Sequence, residues 1–439
     1  MKQLLFLKTT CVLLVAFILP SSHAAAAASA VARKPNIIMI LSDDVGLGEV
    51  SYYGADRFQT PNIDALAKSG TRFDNCFAMP MCGPSRCTLL TGRYPFRTGL
   101  TGNHSENAIQ PGKEIMIPTV LKKAGYITAS AGKWGQMSLG PAQWGFDESI
   151  AAHAMSGQYW GGKYILNGKT ESLPKEKYLP DLTHDFIVDF INRHKDGPFF
   201  IYYPMIHIHI PILPTPDSKP DAKPDQLYTD NVNYHDKLVG KLIAELDRLK
   251  LRENTLIVYA GDNGSIRPPS STPIKGRLLS GHKASIEEGG SHVPMLVNWA
   301  GTTPAGVINR DLVDFSDFFT TFAELAGAPL PAGVTLDSHS FLPQIKGEKG
   351  KPRDWVYVEL DGRSYTRDAR WKLTNAGDLF DLKDAPFTEL PIPANTTNAD
   401  EVAARKRLQS VLNEHPAAPG DGTTKGGKRQ AQKKSATEK

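Results

Sequence analysis

Two pairs of neighbouring oxygen-bearing side chains, Asp43-Asp44 and Asp262-Asn263, each close an apolar run, residues 35–41 and 255–260. Short runs that are apolar throughout mark strands buried on both faces. The carboxyl ends of such strands are where open α/β sheets place ligands. Three carboxylates and an amide form a hard oxygen donor set, suited to Ca²⁺ or Mg²⁺ rather than to zinc, which takes histidine and cysteine. Two further strand ends carry nitrogen. Lys133 follows a strand at 126–131 in Gly132-Lys133-Trp134-Gly135, and His209 follows one at 198–203 in His207-Ile208-His209-Ile210-Pro211. On an extended chain His207 shares the face of His209. Lys283 stands in Gly281-His282-Lys283, just ahead of Glu287-Glu288-Gly289-Gly290.

The remaining reactive candidate is Cys82, in Cys82-Gly83-Pro84-Ser85-Arg86-Cys87-Thr88-Leu89-Leu90-Thr91-Gly92-Arg93. Proline lacks the amide needed inside a helix but fits a first turn, so a helix is predicted from Ser85 to Leu90. Cys82 then sits just before a helix N-terminus, where free amides and the dipole favour an anion. Arg86 lies one turn further on the same face.

These groups need a scaffold that brings distant strand ends together. Strands at 35–41, 72–78, 126–131, 198–203, 255–260 and 294–299 alternate with helices at 60–67, 117–124, 181–194 and 231–249. That pattern predicts an α/β fold: a large mixed, mainly parallel sheet sandwiched by helices. Residues 147–177, rich in Gly, Tyr and Trp without clear periodicity, read as a loop over the site that could contact substrate. From residue 351 the texture changes to short strands at 355–360, 363–368, 371–375 and 378–382, then a helix at 399–413. This is a small C-terminal subdomain of antiparallel sheet plus helix. The organisation expected is a signal peptide at 1–28, a catalytic domain at 33–350, the small subdomain at 351–415 and a disordered basic tail at 416–439.

Residues 1–28 carry a lysine near the start, an apolar run and an alanine tract, the pattern of an export signal. Exported protein, periplasmic or secreted, is therefore expected, with no stable membrane insertion, because the apolar run is short for a span. The net charge of +4 comes from Lys2, Lys8 and the basic tail. The body between is slightly acidic, which argues against a nucleic-acid partner. Cleavage would remove Cys11 and leave Cys76, Cys82 and Cys87, too few for a disulfide scaffold. Whether Cys76 and Cys87 pair stays open at this level.

The string Cys82-x-Pro84-Ser85-Arg86 with Thr91-Gly92-Arg93 resembles the signature of the type I sulfatases. This is the formylglycine-dependent family that includes the arylsulfatases, within the alkaline phosphatase superfamily. The resemblance covers residues 35–384. It implies that a formylglycine-generating enzyme oxidises Cys82 to an aldehyde, whose hydrate attacks the sulfur of a sulfate ester. It further implies one Ca²⁺ per chain, ahead of Mg²⁺, held by Asp43, Asp44, Asp262, Asn263 and residue 82. Arg86, Lys133, His209 and Lys283 would surround the sulfate, with His209 or Lys283 assisting the departing alcohol oxygen. The implied substrate is a sulfate ester, with a sulfated carbohydrate favoured by export.

Three positions depart from the family pattern. Gly135 stands where a histidine is expected, His292 where an arginine is usual, and Glu49 where an aspartate is common. The missing histidine assists sulfate release in relatives, so His207, His104 or His153 is expected to replace it. Two other functions share these residues. One is hydrolysis of phosphonate monoesters or phosphodiesters on the same fold, and the other is a catalytically silent binder of sulfated glycans, which Gly135 would suit.

Overall fold

The computed structural model describes residues 33–103, 108–135, 137–152, 159–266 and 272–420. The expected signal segment, His104, His153, Gln136 and residues 421–439 lie outside them.

The main sheet has ten strands. In chain order they are β1 (Asn36–Ser42), β2 (Thr71–Phe77), β3 (Ile127–Gly132), β4 (Glu148–Ala152), β5 (Trp160–Leu166), β6 (Lys169–Tyr178), β7 (Phe199–Pro204), β8 (Thr255–Gly261), β9 (His292–Asn298) and β10 (Val307–Asp314). Their order across the sheet is β10-β2-β9-β8-β1-β7-β3-β4-β5-β6. The central run from β8 through β1, β7 and β3 to β4 is parallel, as is β10 with β2. β9 and the β5–β6 edge run antiparallel to their neighbours.

Every residue of β1, β7 and β8 is buried, because both faces are covered. On one face Ile37, Met39, Leu41, Phe200, Tyr202 and Val258 pack with helices Cys82–Thr91, Ile117–Lys123 and Asp317–Ala326. On the other Ile38, Ile40, Ile201, Tyr203 and Ile257 meet helices Pro61–Lys68, Leu179–His194 and Pro224–Arg248. The last helix begins before the expected residue 231, because Pro224 supplies a favourable first helical position.

Register aligns the functional strand ends. Ser42 of β1 pairs with Gly261 of β8 and Leu41 with Pro204 of β7. Asp43 and Asp262 therefore leave the sheet side by side. Lys133 N continues the pattern by donating to Pro204 O at 2.8 Å. Gly132, with φ of +133°, passes so close to β7 that a Cβ there would lie 2.0 Å from Pro204 O. Only glycine fits that crossing.

The described part of residues 147–177, read from sequence as loop, instead forms β4, β5 and β6. β6 is an edge strand exposed along most of its length, so it lacks the apolar alternation by which strands are recognised.

The second sheet contains β11 (Val356–Leu360), β12 (Arg363–Arg367), β13 (Trp371–Thr374), β14 (Leu379–Asp384) and β15 (Thr388–Ile392), antiparallel throughout and in sequential order. Helix Ala399–Glu414 is capped by Asn398, whose side chain accepts from the amides of Asp400 and Glu401. It packs Leu408 and Leu412 into a cluster with Leu373, Tyr357, Tyr94, Phe77 and Met79. The small sheet thus shares its core with the segment leading to Cys82. Ala418, within the expected tail, donates its amide to Glu359 at 2.8 Å.

Candidate active site

Asp43 and Asp44 leave β1 in a tight turn, with Asp44 in the left-handed region at φ 63°, a conformation that short polar side chains tolerate. Both carboxylates are fully buried. Cys82 is the first residue of its helix rather than the residue before it, with Pro84 still inside the first turn. Asn103 Oδ1 accepts from the Gly83 amide, in the first turn of the helix, at 2.8 Å. Cys82 Sγ lies 3.2 Å from Asp43 Oδ1, 3.8 Å from Asp44 Oδ1, 3.6 Å from Lys133 Nζ and 3.4 Å from Lys283 Nζ.

The cations are matched one by one to the carboxylates. Arg86 donates through Nε and Nη2 to Asp262 Oδ2 at 2.9 and 2.8 Å, and its Nη2 is 3.5 Å from Asp43 Oδ1. Lys133 Nζ donates to Asp43 Oδ2, and Lys283 Nζ to Asp44 Oδ1, each at 2.6 Å. Asn263 Nδ2 donates to Asp44 Oδ1 at 2.9 Å. The structure therefore brings Asp43, Asp44, Cys82, Arg86, Lys133, His209, Asp262, Asn263 and Lys283 into one cluster.

Two buried oxygens of this cluster, Asp44 Oδ2 and Asn263 Oδ1, accept no hydrogen bond. Buried polar atoms are rarely left so. Oxygens of Asp43, Asp44 and Asp262 lie with Cys82 Sγ within 4.8 Å of one another. The carboxylate and amide oxygens of this set, two of them unsatisfied, fit a hard divalent cation.

Electrostatics follow from burial and crowding. Burial would raise the Asp43 carboxyl, but Lys133, His209, Arg86 and Lys283 together hold it well below the usual range. Burial and repulsion from Asp43 push Asp262 up to about 6, against the pull of Arg86. Burial, with Asp262, pushes the Cys82 thiol well up, although Lys133 and Lys283 oppose this. An unmodified thiol here stays protonated at neutral pH and is a weak nucleophile. Burial opposes the charge on Lys283, yet the carboxylates of Asp44, Asp43 and Asp262 hold its ammonium well above the ordinary lysine range.

His209 sits at the rim. Its Nδ1 meets Ile210 O at 2.6 Å and its Nε2 is 4.0 Å from Asp44 Oδ2. Burial lowers its basicity more than Asp43 raises it. With Nδ1–H donating to the carbonyl, Nε2 faces the cluster as an acceptor. Tyr159 OH bonds to Ile206 O at 3.1 Å and His209 O at 2.9 Å, fixing this turn. Sequence reasoning missed Tyr159 because it lies in the stretch read as loop.

His207 does not share the face of His209. β7 ends at Pro204, and the chain then turns, with His209 N donating to Ile206 O at 3.0 Å, so strand alternation no longer applies. The His207 ring is buried against Tyr159, Tyr178, Tyr234 and His235, with Nε2 2.9 Å from Tyr178 OH. It touches the cluster only through its carbonyl, which accepts from Asp43 N at 2.9 Å. His292 also lies outside the cluster. Its Nε2 is 2.6 Å from Asp74 O and its ring stacks on Phe77. Cys76 and Cys87 are both free and buried.

Glu49 proves more than a variant of aspartate. Its Oε2 accepts from Gly46 N at 2.9 Å and Ser265 Oγ at 2.6 Å, and its Oε1 from Tyr228 OH at 2.9 Å. It ties the turn after Asp44 to the segment after Asn263. Burial pushes its carboxyl up to about 7 despite these donors. The folded protein therefore keeps a proton that the unfolded chain loses near pH 4.5, and stability falls as pH rises from about 4.5 to about 7, then levels. The size is about 3 kcal/mol. Compared with Glu49→Gln, wild-type protein should lose relative stability over that window in urea unfolding at a series of pH values. A pH-independent difference would refute this.

The family model described as Sulfatase matches residues 35–328. The N-acetylgalactosamine-6-sulfatase of Homo sapiens is 33% identical over 375 residues, covering 76% of this chain and 70% of that protein. The N-acetylgalactosamine-6-O-sulfatase of Bacteroides thetaiotaomicron is 27% identical over 472 residues, covering 88% and 91%. Among solved structures, Ps i-CgsB in complex with k-i-k-neocarrahexaose superposes with a TM-score of 0.77 at 28% identity, covering 90% of this chain and 96% of that one. With the family model spanning well over half its length, this chain belongs to the sulfatase family, within the alkaline phosphatase superfamily, and is a sulfuric ester hydrolase.

Proposed function

We propose that the protein hydrolyses sulfate esters of a sulfated carbohydrate, with Cys82 matured to formylglycine and one Ca²⁺ held by Asp43, Asp44, Asp262, Asn263 and residue 82. The observation that carries this reading is the position of Cys82 Sγ, within 4 Å of two carboxylates and two ammonium groups. A carbohydrate substrate is supported by relatives named for N-acetylgalactosamine-6-sulfate ester cleavage and by a similar structure solved with a neocarrahexaose.

Formylglycine at position 82 supplies a hydroxyl nucleophile, and the cation supplies positive charge against the ester oxygens. The protein's own groups do the rest. Lys133 and Lys283 both lie within 4 Å of Cys82 Sγ and can donate to sulfate oxygens as negative charge shifts in the transition state. Arg86, locked on Asp262, holds that carboxylate in place and adds charge behind the reacting centre. Lys283 remains a charged donor because the surrounding carboxylates favour its ammonium form. His209 Nε2, with Nδ1 occupied by Ile210 O, can hold a proton beside the departing alcohol oxygen.

Residues 1–28 direct export in this reading, residues 33–350 form the catalytic domain and 351–415 the small subdomain. A formylglycine-generating enzyme is the maturation partner. No helix among the described residues is long and apolar enough to cross a membrane. The test is sulfate release from a panel of sulfated mono- and oligosaccharides and phosphonate esters, using protein produced with a formylglycine-generating enzyme. Release from sulfated sugars that stops with a chelator and returns with Ca²⁺ is expected. Turnover of phosphonates alone, or binding without release, would overturn the reading.

A further inference from the structure

The segment carrying Lys283 has no helix or strand of its own until Glu288, yet its ammonium must reach both Asp44 and position 82. Its backbone is anchored on three sides. Lys283 N donates to Ser265 O and Ala284 N to Pro80 O, each at 2.9 Å. The third anchor comes from the small C-terminal sheet. Lys372 of β13 donates through Nζ to Ile286 O at 2.6 Å and to Glu389 Oε2 at 2.8 Å. Glu389 of β15 accepts the Glu288 amide on its other oxygen at 2.7 Å. One lysine–glutamate pair thus satisfies a carbonyl and an amide three and five residues after Lys283.

Both side chains of this pair are buried, 1% and 6% exposed. For fold stability alone apolar residues would serve as well, since replacing a buried ion pair by well-packed apolar groups is often neutral or stabilising. What apolar residues could not do is hold the two backbone groups of the loop. Nearby contacts continue the seam: Arg367 donates to Glu288 Oε2 at 2.7 Å, and the exposed Arg277 pairs with Asp384 at 2.6 Å.

We propose that Lys372 and Glu389 are positioning residues for the reaction, holding the backbone at Ile286 and Glu288 so that Lys283 reaches Asp44 and position 82. The small sheet is then part of the catalytic apparatus and not an appendage. This rests on the sulfate-ester reading above, in which Lys283 faces the reacting group.

The experiment uses matured full-length protein with Lys372→Met, Lys283→Ala and both together. Misplacing a catalytic group by about 1 Å costs on the order of 10²-fold, so Lys372→Met should lower kcat by about 10- to 100-fold with KM little changed. In the Lys283→Ala background it should add little further loss, because the two act through one group. Amide hydrogen exchange should show protection lost at residues 284–290 while the main sheet keeps its own. Arg277→Ala, which breaks the exposed pair with Asp384 and the contact over the Phe387 ring but touches neither Ile286 O nor the Glu288 amide, should lower kcat far less than Lys372→Met. Unchanged kcat in Lys372→Met, an equal loss in both backgrounds, or unaltered exchange at 284–290 would each overturn the proposal. If Lys372→Met does not fold, Glu389→Gln enters the same cycle. Absence of sulfate release by the unsubstituted protein would reject the underlying reading, while the exchange measurement would still decide whether Lys372 orders the loop.

Discussion

Cys82→Ala should abolish sulfate release, by on the order of 10⁶-fold, the scale seen when an enzyme loses its covalent nucleophile, while the protein stays folded. Residue 82 is fully buried, at the start of a helix that is itself buried throughout. Alanine is a good helix former and removes only one sulfur atom from the core. The thiol makes no hydrogen bond on which the helix depends; the neighbouring amide of Gly83 is satisfied by Asn103 instead. Cys82→Ser separates the two roles of the matured group. A serine hydroxyl has an oxygen to attack with but no second hydroxyl through which to expel sulfate, so it should at most accumulate a sulfated enzyme. Mass spectrometry of the peptide spanning residues 73–86 checks the maturation directly. Unmodified thiol throughout, in protein that turns over sulfate esters, would rule out the formylglycine reading.

Loss of the cation should produce the second large effect, and the geometry dictates which variant reports it. Asp262→Ala removes a carboxylate oxygen from the donor set but also strands Arg86, whose two donors to Asp262 are fully buried. Breaking one side of a buried pair costs about 3–5 kcal/mol, so this variant should be destabilised with or without Ca²⁺. Asn263→Ala is the cleaner probe. Its Oδ1 has no protein partner, and its removal leaves no charge unpaired. A ligand that binds only the folded state adds about 4 kcal/mol at a thousand times its Kd. Wild-type protein should therefore show a rise in Tm on Ca²⁺ addition that Asn263→Ala largely loses, on top of a lower Tm in chelator caused by loss of the Nδ2 donors to Asp44 Oδ1 and Gly264 O. Equal Ca²⁺-dependent shifts in the two proteins would remove Asn263 from the site.

Much of this molecule was legible in its sequence because the informative residues are local. Strands β1, β7 and β8 are buried on both faces and so appear as unbroken apolar runs, and parallel pairing puts their carboxyl ends, with Asp43, Asp44, Asp262 and Asn263, on one edge. The cysteine motif, with proline in the first turn of its helix, is similarly self-contained. Tertiary structure decided what depended on context. The β5–β6 edge has an Asn167-Gly168 turn with both residues at positive φ, a hairpin signal in the sequence, but an exposed strand does not alternate and so looked like loop. His207 and His209 are two residues apart, yet the strand ends before them and the chain turns, sending one ring into an aromatic core and the other to the site. Glu49 differs from aspartate by one methylene, and only the distance to Ser265 and Tyr228 explains what that reach is for. Lys372 and Glu389 lie about a hundred residues from Lys283 and carry no motif. Short-range pattern could pick out the groups that gather at the strand ends because the chemistry sought fixes their type, whereas the residues that hold them in place are defined only by which surfaces the folded chain brings into contact.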